Sequence, residues 1–286
     1  METGYQKKHY SDLPGFRLHH TAGPNAADST TSHLHLNASR MILYCIQGGG
    51  NVVVEDKAYQ LQAGDVLITD SAELFHCSID PHSYHERLSI HIDPQFWRQF
   101  PWDTAPLFHC FTDREKGVAN LIPAQSVESS GFGKLFQDLW ATLQQTDPAR
   151  DMLAVSKLIQ LLLLLNEIAV SATVYAEASS KNPQIQEILQ YLNRHCTENI
   201  SVDSIAQHFH ITPSYLAHLF KVHTGFSPWN YVILRRLHKA NVIMRKGFSA
   251  EEACYKVGFD NYANFYRLYK RHTGISPSQF KKQIRL

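Results

Sequence analysis

The sequence predicts an α+β protein: an N-terminal β-barrel or jelly roll plus a helical segment, then a C-terminal all-α domain with two helix-turn-helix motifs joined by a long helix. Three observations predict this organisation. Short β-rich runs occupy the first part of the chain, amphipathic helical patterns follow them, and one short pattern occurs twice in the last hundred residues. The length of 286 residues is sufficient for two domains that each bury a core.

The C-terminal repeat is the most specific of these observations. Residues 221–228, Lys-Val-His-Thr-Gly-Phe-Ser-Pro, return 49 positions later as residues 270–277, Lys-Arg-His-Thr-Gly-Ile-Ser-Pro. Further upstream the offset is 48, so the two copies differ by one residue in the turn between two helices. Each copy, over residues 201–222 and 249–272, therefore predicts the helix, tight turn and helix that place the second helix in a DNA major groove.

Capping residues stand where these helices should begin and end. Ser201 and Ser249 are suitable N-caps, and Glu252 lies three residues after Ser249, which is the spacing of a capping box. Gly225 and Gly274 follow basic final turns, as C-terminal cap glycines do. Residues 229–245 contain no helix breaker and predict a connecting helix of about 25 Å, which would hold the two units at a fixed separation.

The first half of the sequence predicts strands instead. Residues 44–47, 52–54, 59–61, 64–68 and 88–92 are β-rich runs separated by turn residues. We therefore expect a barrel over residues 16–125, preceded by an N-terminal arm over 1–15. Helical patterns over 126–175 predict a segment for dimerisation or for packing on the barrel, and residues 176–183 predict a linker before the domain of residues 184–286.

Charge separates the two halves. The whole chain has 27 Lys and Arg residues and 26 Asp and Glu residues. Residues 184–286 contain fourteen of the basic residues and six of the acidic ones, so residues 1–183 contain thirteen basic and twenty acidic residues. The C-terminal half therefore carries a net charge of +8 and the N-terminal half −7. A basic C-terminal half favours binding to a polyanion, and an acidic N-terminal half would be repelled by phosphates.

The C-terminal domain resembles the DNA-binding domain of the AraC/XylS family of bacterial transcription regulators. The residues that carry this resemblance are Ile205, Ala206, Tyr215, Leu216, Leu219, Phe220, Lys221, Thr224, Gly225, Gly258, Phe259, Ser276 and Pro277. Residues 61–68 with His76, together with Gly48 to Gly50, are similar to a cupin motif. The resemblance implies a cupin-like effector-binding barrel, promoter DNA and RNA polymerase as partners, and activation rather than repression.

The family pattern implies which side chains face DNA. In the first recognition helix these are Ser214, Ala217, His218 and Lys221, and in the second Tyr262, Ala263, Asn264, Tyr266, Arg267 and Lys270. Arg267 can donate two hydrogen bonds to guanine, whereas its equivalent His218 is a weaker donor and Ala217 offers only a methyl group. We therefore predict stronger direct readout by the second copy, with contact to phosphate alone as the alternative for Arg267.

The effector expected in the barrel is a small molecule, in this family often a sugar. Donors, acceptors and aromatic faces suit such a ligand, and the candidates are Arg40, Tyr44, His76, Tyr84, His91 and Trp97. A metal site at His33, His35 and His76 is the less favoured alternative, because Arg40 stands near the place of the expected carboxylate. No metal, other cofactor or catalytic group is predicted.

Two alternatives to a ligand-responsive regulator remain open. One is a metal-dependent cupin enzyme with an appended DNA-binding domain, and the other is a constitutive regulator whose barrel only dimerises. Five cysteines without a C-x-x-C spacing, and an N-terminus without an apolar run, predict a cytoplasmic protein. Polar residues interrupt the helical pattern of residues 152–174, so we expect a homodimer contact or core helix there and no membrane partner.

Overall fold

The computed structural model describes residues 8–9, 13, 15–24, 39–71, 73–79, 83–93, 96–172 and 182–283. Its strands are β1 Lys8–His9, β2 Phe16–Pro24, β3 Arg40–Gln47, β4 Gly49–Val54, β5 Lys57–Gln62, β6 Val66–Thr69, β7 Phe75–Ile79, β8 Tyr84–Ile92 and β9 Leu121–Ile122. They form a six-stranded sheet in the order β1-β2-β8-β3-β6-β9 and a three-stranded sheet in the order β5-β4-β7. All neighbouring strands are antiparallel.

The two sheets enclose an apolar layer. Met41, Leu43 and Cys45 on β3 pack there with Val52 and Val54 on β4. Gly48 makes the corner between β3 and β4 with a φ of 84°, and a Cβ at this position would lie 2.6 Å from the Tyr84 carbonyl oxygen. Only glycine fits both constraints, which explains the glycine run that the sequence places there.

The β-rich runs of the sequence correspond to β3, β4, β5, β6 and β8. Strands β2, β7 and β9 were not predicted. Within the expected arm of residues 1–15, Lys8–His9 pairs with His19 and His20 on β2, so this part of the arm extends the six-stranded sheet.

Helices cover the outer face of the six-stranded sheet. They are α1 His109–Thr112, α2 Ala124–Glu128, α3 Phe132–Leu143 and α4 Arg150–Ala172. The first part of the helical pattern over 126–175 is divided between α2 and α3, because Gly131 takes a left-handed φ of 77° immediately before α3. Phe132, Phe136 and Leu139 of α3 are buried against the sheet and α4.

Helix α4 has a buried face and an exposed one. Leu158, Leu161 and Leu165 are completely buried, whereas Met152 is 79% and Val170 is 76% exposed. Length and composition alone would allow Arg150–Val170 to cross a membrane. Its inner face instead packs on α3 and β9, and Asn166 bonds the backbone of α1 and of the preceding 3-10 turn, as in the core helix of a globular domain.

The C-terminal domain consists of seven helices in the described part of the chain. They are α5 Pro183–His195, α6 Val202–His208, α7 Pro213–Thr224, α8 Pro228–Arg245, α9 Ala250–Lys256, α10 Tyr262–Thr273 and α11 Pro277–Gln283. Helix α5 already begins at Pro183, with Asn182 as its N-cap, so the last two residues of the expected linker belong to the domain.

The predicted capping residues are in place. The side chains of Ser201 and Ser249 accept bonds from the backbone three residues on, and both ends form capping boxes. Gly225 and Gly274 close α7 and α10 with left-handed φ angles of 78° and 77°. Local sequence therefore determines where both helix–turn–helix units, α6–α7 and α9–α10, begin and end.

Candidate functional site

The first helix–turn–helix unit presents α7 as a potential recognition helix. Leu216, Leu219 and Phe220 are buried in the domain core. On the opposite side Ser214, His218 and Lys221 are exposed and Ala217 is half-buried. The four residues expected to face DNA therefore share the outer side of one helix.

The second unit presents α10 in the same way. Phe265 and Tyr269 anchor the helix in the core. The residues expected to face DNA comprise five exposed side chains, Ala263, Asn264, Tyr266, Arg267 and Lys270, together with the half-buried Tyr262. The Arg267 Nη2 donates to Asn264 Oδ1 at 3.1 Å, so Asn264 holds the guanidinium on the outer side of α10.

The turn of each helix–turn–helix unit contains a residue with a positive φ angle, but the residue type differs. His210 in the first unit has a φ of 55°, and Gly258 in the second has a φ of 90°. A Cβ at Gly258 would lie 2.5 Å from the Thr197 carbonyl oxygen. Gly258 is therefore required by the close approach of the loop after α5 as well as by its own backbone conformation.

Arg236 on α8 joins the second unit to the rest of the domain. Its guanidinium donates to the carbonyl oxygens of Cys196 at 2.6 Å, Gly258 at 2.6 Å and Glu198 at 2.8 Å. Trp229 and Phe259 lie against the guanidinium, 5.4 and 5.6 Å from its carbon to their ring centroids. A rigid planar group with several donors can thus fix α8, the end of α5 and the α9–α10 turn relative to one another.

The preceding residue, Arg235, connects this domain to the barrel. Its Nη1 lies 2.5 Å from Glu55 Oε2, both side chains are more than nine-tenths buried, and its Nη2 donates to Asn193 on α5. Burial alone would raise the pKa of Glu55, but Arg235, His238 and the Leu74 amide outweigh it and hold the pKa below its usual value. Glu55 is therefore charged at neutral pH, and the contact is a buried ion pair.

Further polar contacts surround the ion pair. The Tyr231 hydroxyl donates to the Glu55 carbonyl oxygen at 2.7 Å, and Gln186 Nε2 donates to the Asp56 carbonyl oxygen at 2.6 Å. At the end of α7, Asn51 Nδ2 donates to the Val222 carbonyl oxygen at 2.7 Å. Strand β4, the turn after it and β7 thus dock on the first helix–turn–helix unit and α8.

Apolar contacts complete this interface between the domains. Val53 and Leu74 of the barrel belong to the same buried cluster as the core of the C-terminal domain. His76 on β7 packs against the Phe226 ring, with ring centroids 3.5 Å apart. The C-terminal domain is therefore held in one orientation on the three-stranded sheet, which we call the docked arrangement.

The interior of the barrel has a polar wall that sequence reasoning did not find. Cross-strand pairing places Arg17, His19 and Thr21 of β2 beside His91, Ser89 and Arg87 of β8, on the face opposite the helices. His85 continues the row beside Gly23. The signal in the sequence is the alternation in residues 84–92, where His85, Arg87, Ser89 and His91 alternate with residues that face the helices.

Of the six predicted effector-binding residues, His91 lies on this inner wall, with its ring centroid 5.2 Å from that of His19. Arg40 pairs with Asp70 and lies over Phe108 on the helix side of the sheet. Tyr44 also faces the helices, and packs on Phe132 and Phe136.

The other three lie in three different places. Trp97 is buried among aromatic side chains outside the barrel interior, and Tyr84 is 44% exposed. His76 lies in the interface with the C-terminal domain. The structure therefore does not bring the six residues together. Of the metal candidates, His33 and His35 lie outside the described residues, and the described part contains no cluster of metal-ligating side chains.

Comparison with known proteins identifies both halves. A helix-turn-helix domain model matches residues 205–283, and an AraC-like ligand binding domain model matches residues 21–162. The uncharacterized HTH-type transcriptional regulator YdiP of Escherichia coli K12 is 35% identical over 106 residues, which are 37% of this chain and about a third (35%) of YdiP.

Other relatives align over most of their length. The arabinose operon regulatory protein of E. coli K12 is 26% identical over 242 residues, covering 82% of this chain and 78% of that protein. The HTH-type transcriptional activator RhaS of Salmonella heidelberg is 25% identical and 82% of each chain is covered. The structure of an apo ToxT variant from Vibrio cholerae shares 11% identity over 95% of this chain and 98% of that chain, with a TM-score of 0.39.

Two recognition helices with exposed outer faces, joined to a separate ligand-binding domain, define a DNA-binding transcription regulator. The chain belongs to the AraC/XylS family. The predicted fold class and DNA-binding function are thereby confirmed.

The exposed position of Arg267 leads to a prediction about sequence readout. We expect Arg267→Ala to relax discrimination at one guanine by about 1–3 kcal/mol, because the bidentate contact to its O6 and N7 is lost. Lys270→Ala is the matched control, and should weaken all sequences about equally. Affinities for a DNA site selected from a random-sequence library, and for its single-base variants, test this prediction. If Arg267→Ala loses the same affinity on every sequence, and its affinity depends less steeply on salt, Arg267 contacts phosphate instead.

Proposed function

We propose that this protein is a sugar-responsive transcription activator that binds promoter DNA as a dimer in the cytoplasm and contacts RNA polymerase there. The observation that carries the proposal is the docking of α8 and the end of α7, in the first DNA-reading unit, on an effector-binding barrel. The names of two relatives, an arabinose operon regulatory protein and a transcriptional activator, support a sugar effector and activation.

Helix α4 supports the proposed dimer. Met152, Leu163 and Val170 are exposed apolar side chains that recur along one side of the helix, with Ser156, Gln160 and Glu167 between them. Their spacing follows the helical period, so two such helices can pack along this stripe. A dimer of this kind would supply four recognition helices and would read a pair of repeated half-sites.

The docked arrangement supports coupling between effector and DNA. A ligand changes DNA affinity only if it binds two conformations differently, and docked and released domains provide such a pair. Asn51 binds the end of α7 next to Lys221, so docking places the acidic barrel beside a basic side chain expected to meet phosphate. In the docked arrangement the barrel would therefore oppose the approach of DNA.

The ion pair suits a contact that opens. Glu55 has a left-handed φ of 55°, and the buried Arg235 Nε has no hydrogen-bond partner among the described residues. The left-handed backbone of Glu55 and the unpaired Nε of Arg235 each cost free energy in the docked arrangement, and both charged groups are hydrated again when the domains separate. Within each domain Glu55 and Arg235 are also held by Leu74 and Asn193, so opening need not unfold either half.

The DNA-binding function predicts a steep dependence on salt. From a random-sequence library the full chain should select a preferred duplex, and six to ten phosphate contacts would reduce affinity about 10³–10⁵-fold between 50 and 200 mM salt. Fluorescence anisotropy measures both properties. Affinity that is independent of salt, or equal for all duplexes, would contradict a sequence-specific regulator.

The proposed dimer predicts opposite effects at neighbouring leucines. Leu163→Glu should give a folded monomer, because it places charge on the exposed stripe. Leu161→Ala should destabilise the fold by about 2–5 kcal/mol, since this side chain is fully buried. Sedimentation with circular dichroism distinguishes the outcomes, with the exposed Val118→Glu as control. If Leu163→Glu remains a dimer, this stripe is not the interface.

If the docked arrangement restrains DNA binding, opening the interface between the domains should increase DNA affinity in the absence of effector. Glu55→Gln keeps the side-chain shape but removes the charge that compensates Arg235, so the interface should open. We expect DNA affinity to rise at least about threefold, with faster amide exchange in β4 and β7. The exposed Glu115→Gln is the matched control. Faster exchange with unchanged affinity would show that docking does not restrain DNA binding.

The alternatives have their own readouts. If this protein were a metal-dependent cupin enzyme, the purified chain would retain close to one metal ion. A metal content below about one-tenth of an ion per chain would remove that alternative. A constitutive regulator would keep the same DNA affinity with every candidate effector.

A further inference from the structure

A cleft of about 300 Å³ lies on the helix side of the six-stranded sheet. It is bordered by Tyr44 on β3, by the β5–β6 turn at Gly64, by the end of α2 and by the first turns of α3. Its volume is at the lower end of the range of about 300–1,000 Å³ that small-molecule sites occupy, so the cleft suits a compact ligand. The barrel interior lies on the other face of this sheet, so the cleft is a separate site.

Charged groups of both signs line the cleft. Glu128 is the last residue of α2, and Lys134 and Gln137 lie about one turn apart on α3. All three side chains are exposed, and none of them has a hydrogen bond or an ion pair with another described residue. The cleft therefore presents a carboxylate and an ammonium group that do not neutralise each other.

Gly133 leaves space for a polar group at the bottom of the cleft. A Cβ at this position would lie 2.6 Å from the Tyr44 hydroxyl oxygen, which is too close for any other residue without movement. Gly133 is in the first turn of α3 and its φ is not positive, so the backbone conformation does not require glycine. Since glycine lowers helix stability relative to alanine, its structural effect here is the space that it leaves for the Tyr44 hydroxyl.

The Tyr44 hydroxyl is held in place and has hydrogen-bonding capacity to spare. Phe132 and Phe136 pack against the Tyr44 ring, each with its centroid 6.1 Å from that of Tyr44. The hydroxyl has no hydrogen-bond partner among the described residues. Burial raises the pKa of Tyr44, and Cys45 and Glu128 add to this, so the hydroxyl keeps its proton at neutral pH and can donate as well as accept.

We propose that this cleft binds a free amino acid as a zwitterion, with the ammonium group facing Glu128 and the carboxylate facing Lys134. The Tyr44 hydroxyl donates to the carboxylate, and Val127 offers apolar contact to the side chain of the ligand. A neutral sugar would match neither charge of the cleft, and a ligand with one charge would match only one of them. The cleft is thus a second ligand site, independent of the sugar effector proposed for the barrel.

Isothermal titration of the full chain with each standard L-amino acid identifies the ligand. At least one amino acid should bind with a Kd below about 1 mM. Its carboxamide lacks the negative charge, and the acid without the amino group lacks the positive charge. Each analogue should bind at least about tenfold more weakly than the amino acid, with a difference that declines as salt rises. Failure of every amino acid to bind, or equal affinity for both analogues and the amino acid, would overturn the inference.

Substitution locates the ligand and its orientation. Glu128→Gln should weaken binding at least about tenfold and should no longer distinguish the amino acid from the acid without the amino group. Lys134→Gln should in the same way no longer distinguish it from the carboxamide. Because both residues are exposed, the variants should fold, and the exposed Glu115→Gln and Lys116→Gln are matched controls with unchanged affinity. Binding that neither Glu128→Gln nor Lys134→Gln weakens would contradict the assignment of the cleft.

Sugar titrations of the same variants separate this inference from the proposed function. Sugar affinity should be equal in Glu128→Gln, Lys134→Gln and the unmodified chain. A sugar whose binding is lost in both variants would show that the cleft is the sugar site, and would overturn the inference of an amino acid. A chain that binds an amino acid as expected but responds to no sugar supports the inference and contradicts only the sugar effector.

Discussion

The three hydrogen bonds from the Arg236 guanidinium fix the second DNA-reading unit relative to α8 and the end of α5. Its acceptors are carbonyl oxygens at the end of α5 and in the turn of the second unit, while its backbone belongs to α8. Burial lowers the pKa of Arg236, but a guanidinium remains charged at neutral pH, and the rings of Trp229 and Phe259 lie against it. The placement of the second reading unit therefore depends on a buried side chain.

Arg235 and Arg236 are adjacent, yet they serve different contacts. Successive residues on a helix point about 100° apart, so Arg236 faces into the C-terminal domain while Arg235 faces the barrel. Rotation or displacement of α8 would change both sets of bonds together. Movement at the barrel surface can thus reach the helix that sets the spacing of the reading units, which is the physical basis we propose for effector control.

The apolar layer between the two sheets adds the other end of this coupling. Strands β3 and β4, whose side chains form the apolar layer, are continuous with the turn that carries Glu55. Because Glu55 belongs to the barrel and Arg235 to the C-terminal domain, their contact exists only in the docked arrangement. A ligand that alters the packing of β4 would alter this contact without touching the DNA-binding domain.

Sequence reasoning succeeded where structure is determined locally. The capping residues, cap glycines and helical spacing of residues 201–274 predicted both helix–turn–helix units to within one or two residues. The strands of the barrel were found less completely, because pairing β2 with β8 joins residues about seventy positions apart. Without that register the inner face could not be assigned, so Tyr44 and Trp97 were grouped with His91 although they lie outside the barrel interior.

The docked arrangement also could not be predicted from residue types. His76 fits a cupin motif by spacing, but it is on the outward face of β7 and meets Phe226. Glu55 lies in a β4–β5 turn, where a charged residue is ordinary, and its burial results from packing by a domain that begins more than a hundred residues later. Long-range contacts of this kind follow from the fold rather than from any local pattern.

Hydroxyl-radical footprinting on a selected DNA site tests the central claim, that α8 and Arg236 hold two recognition helices at a fixed separation. For each DNA-binding domain the account predicts two protected segments on one face of the duplex, about one helical turn apart and with the same spacing at every selected site. A single protected segment per domain, or two segments whose spacing varies between sites, would contradict it.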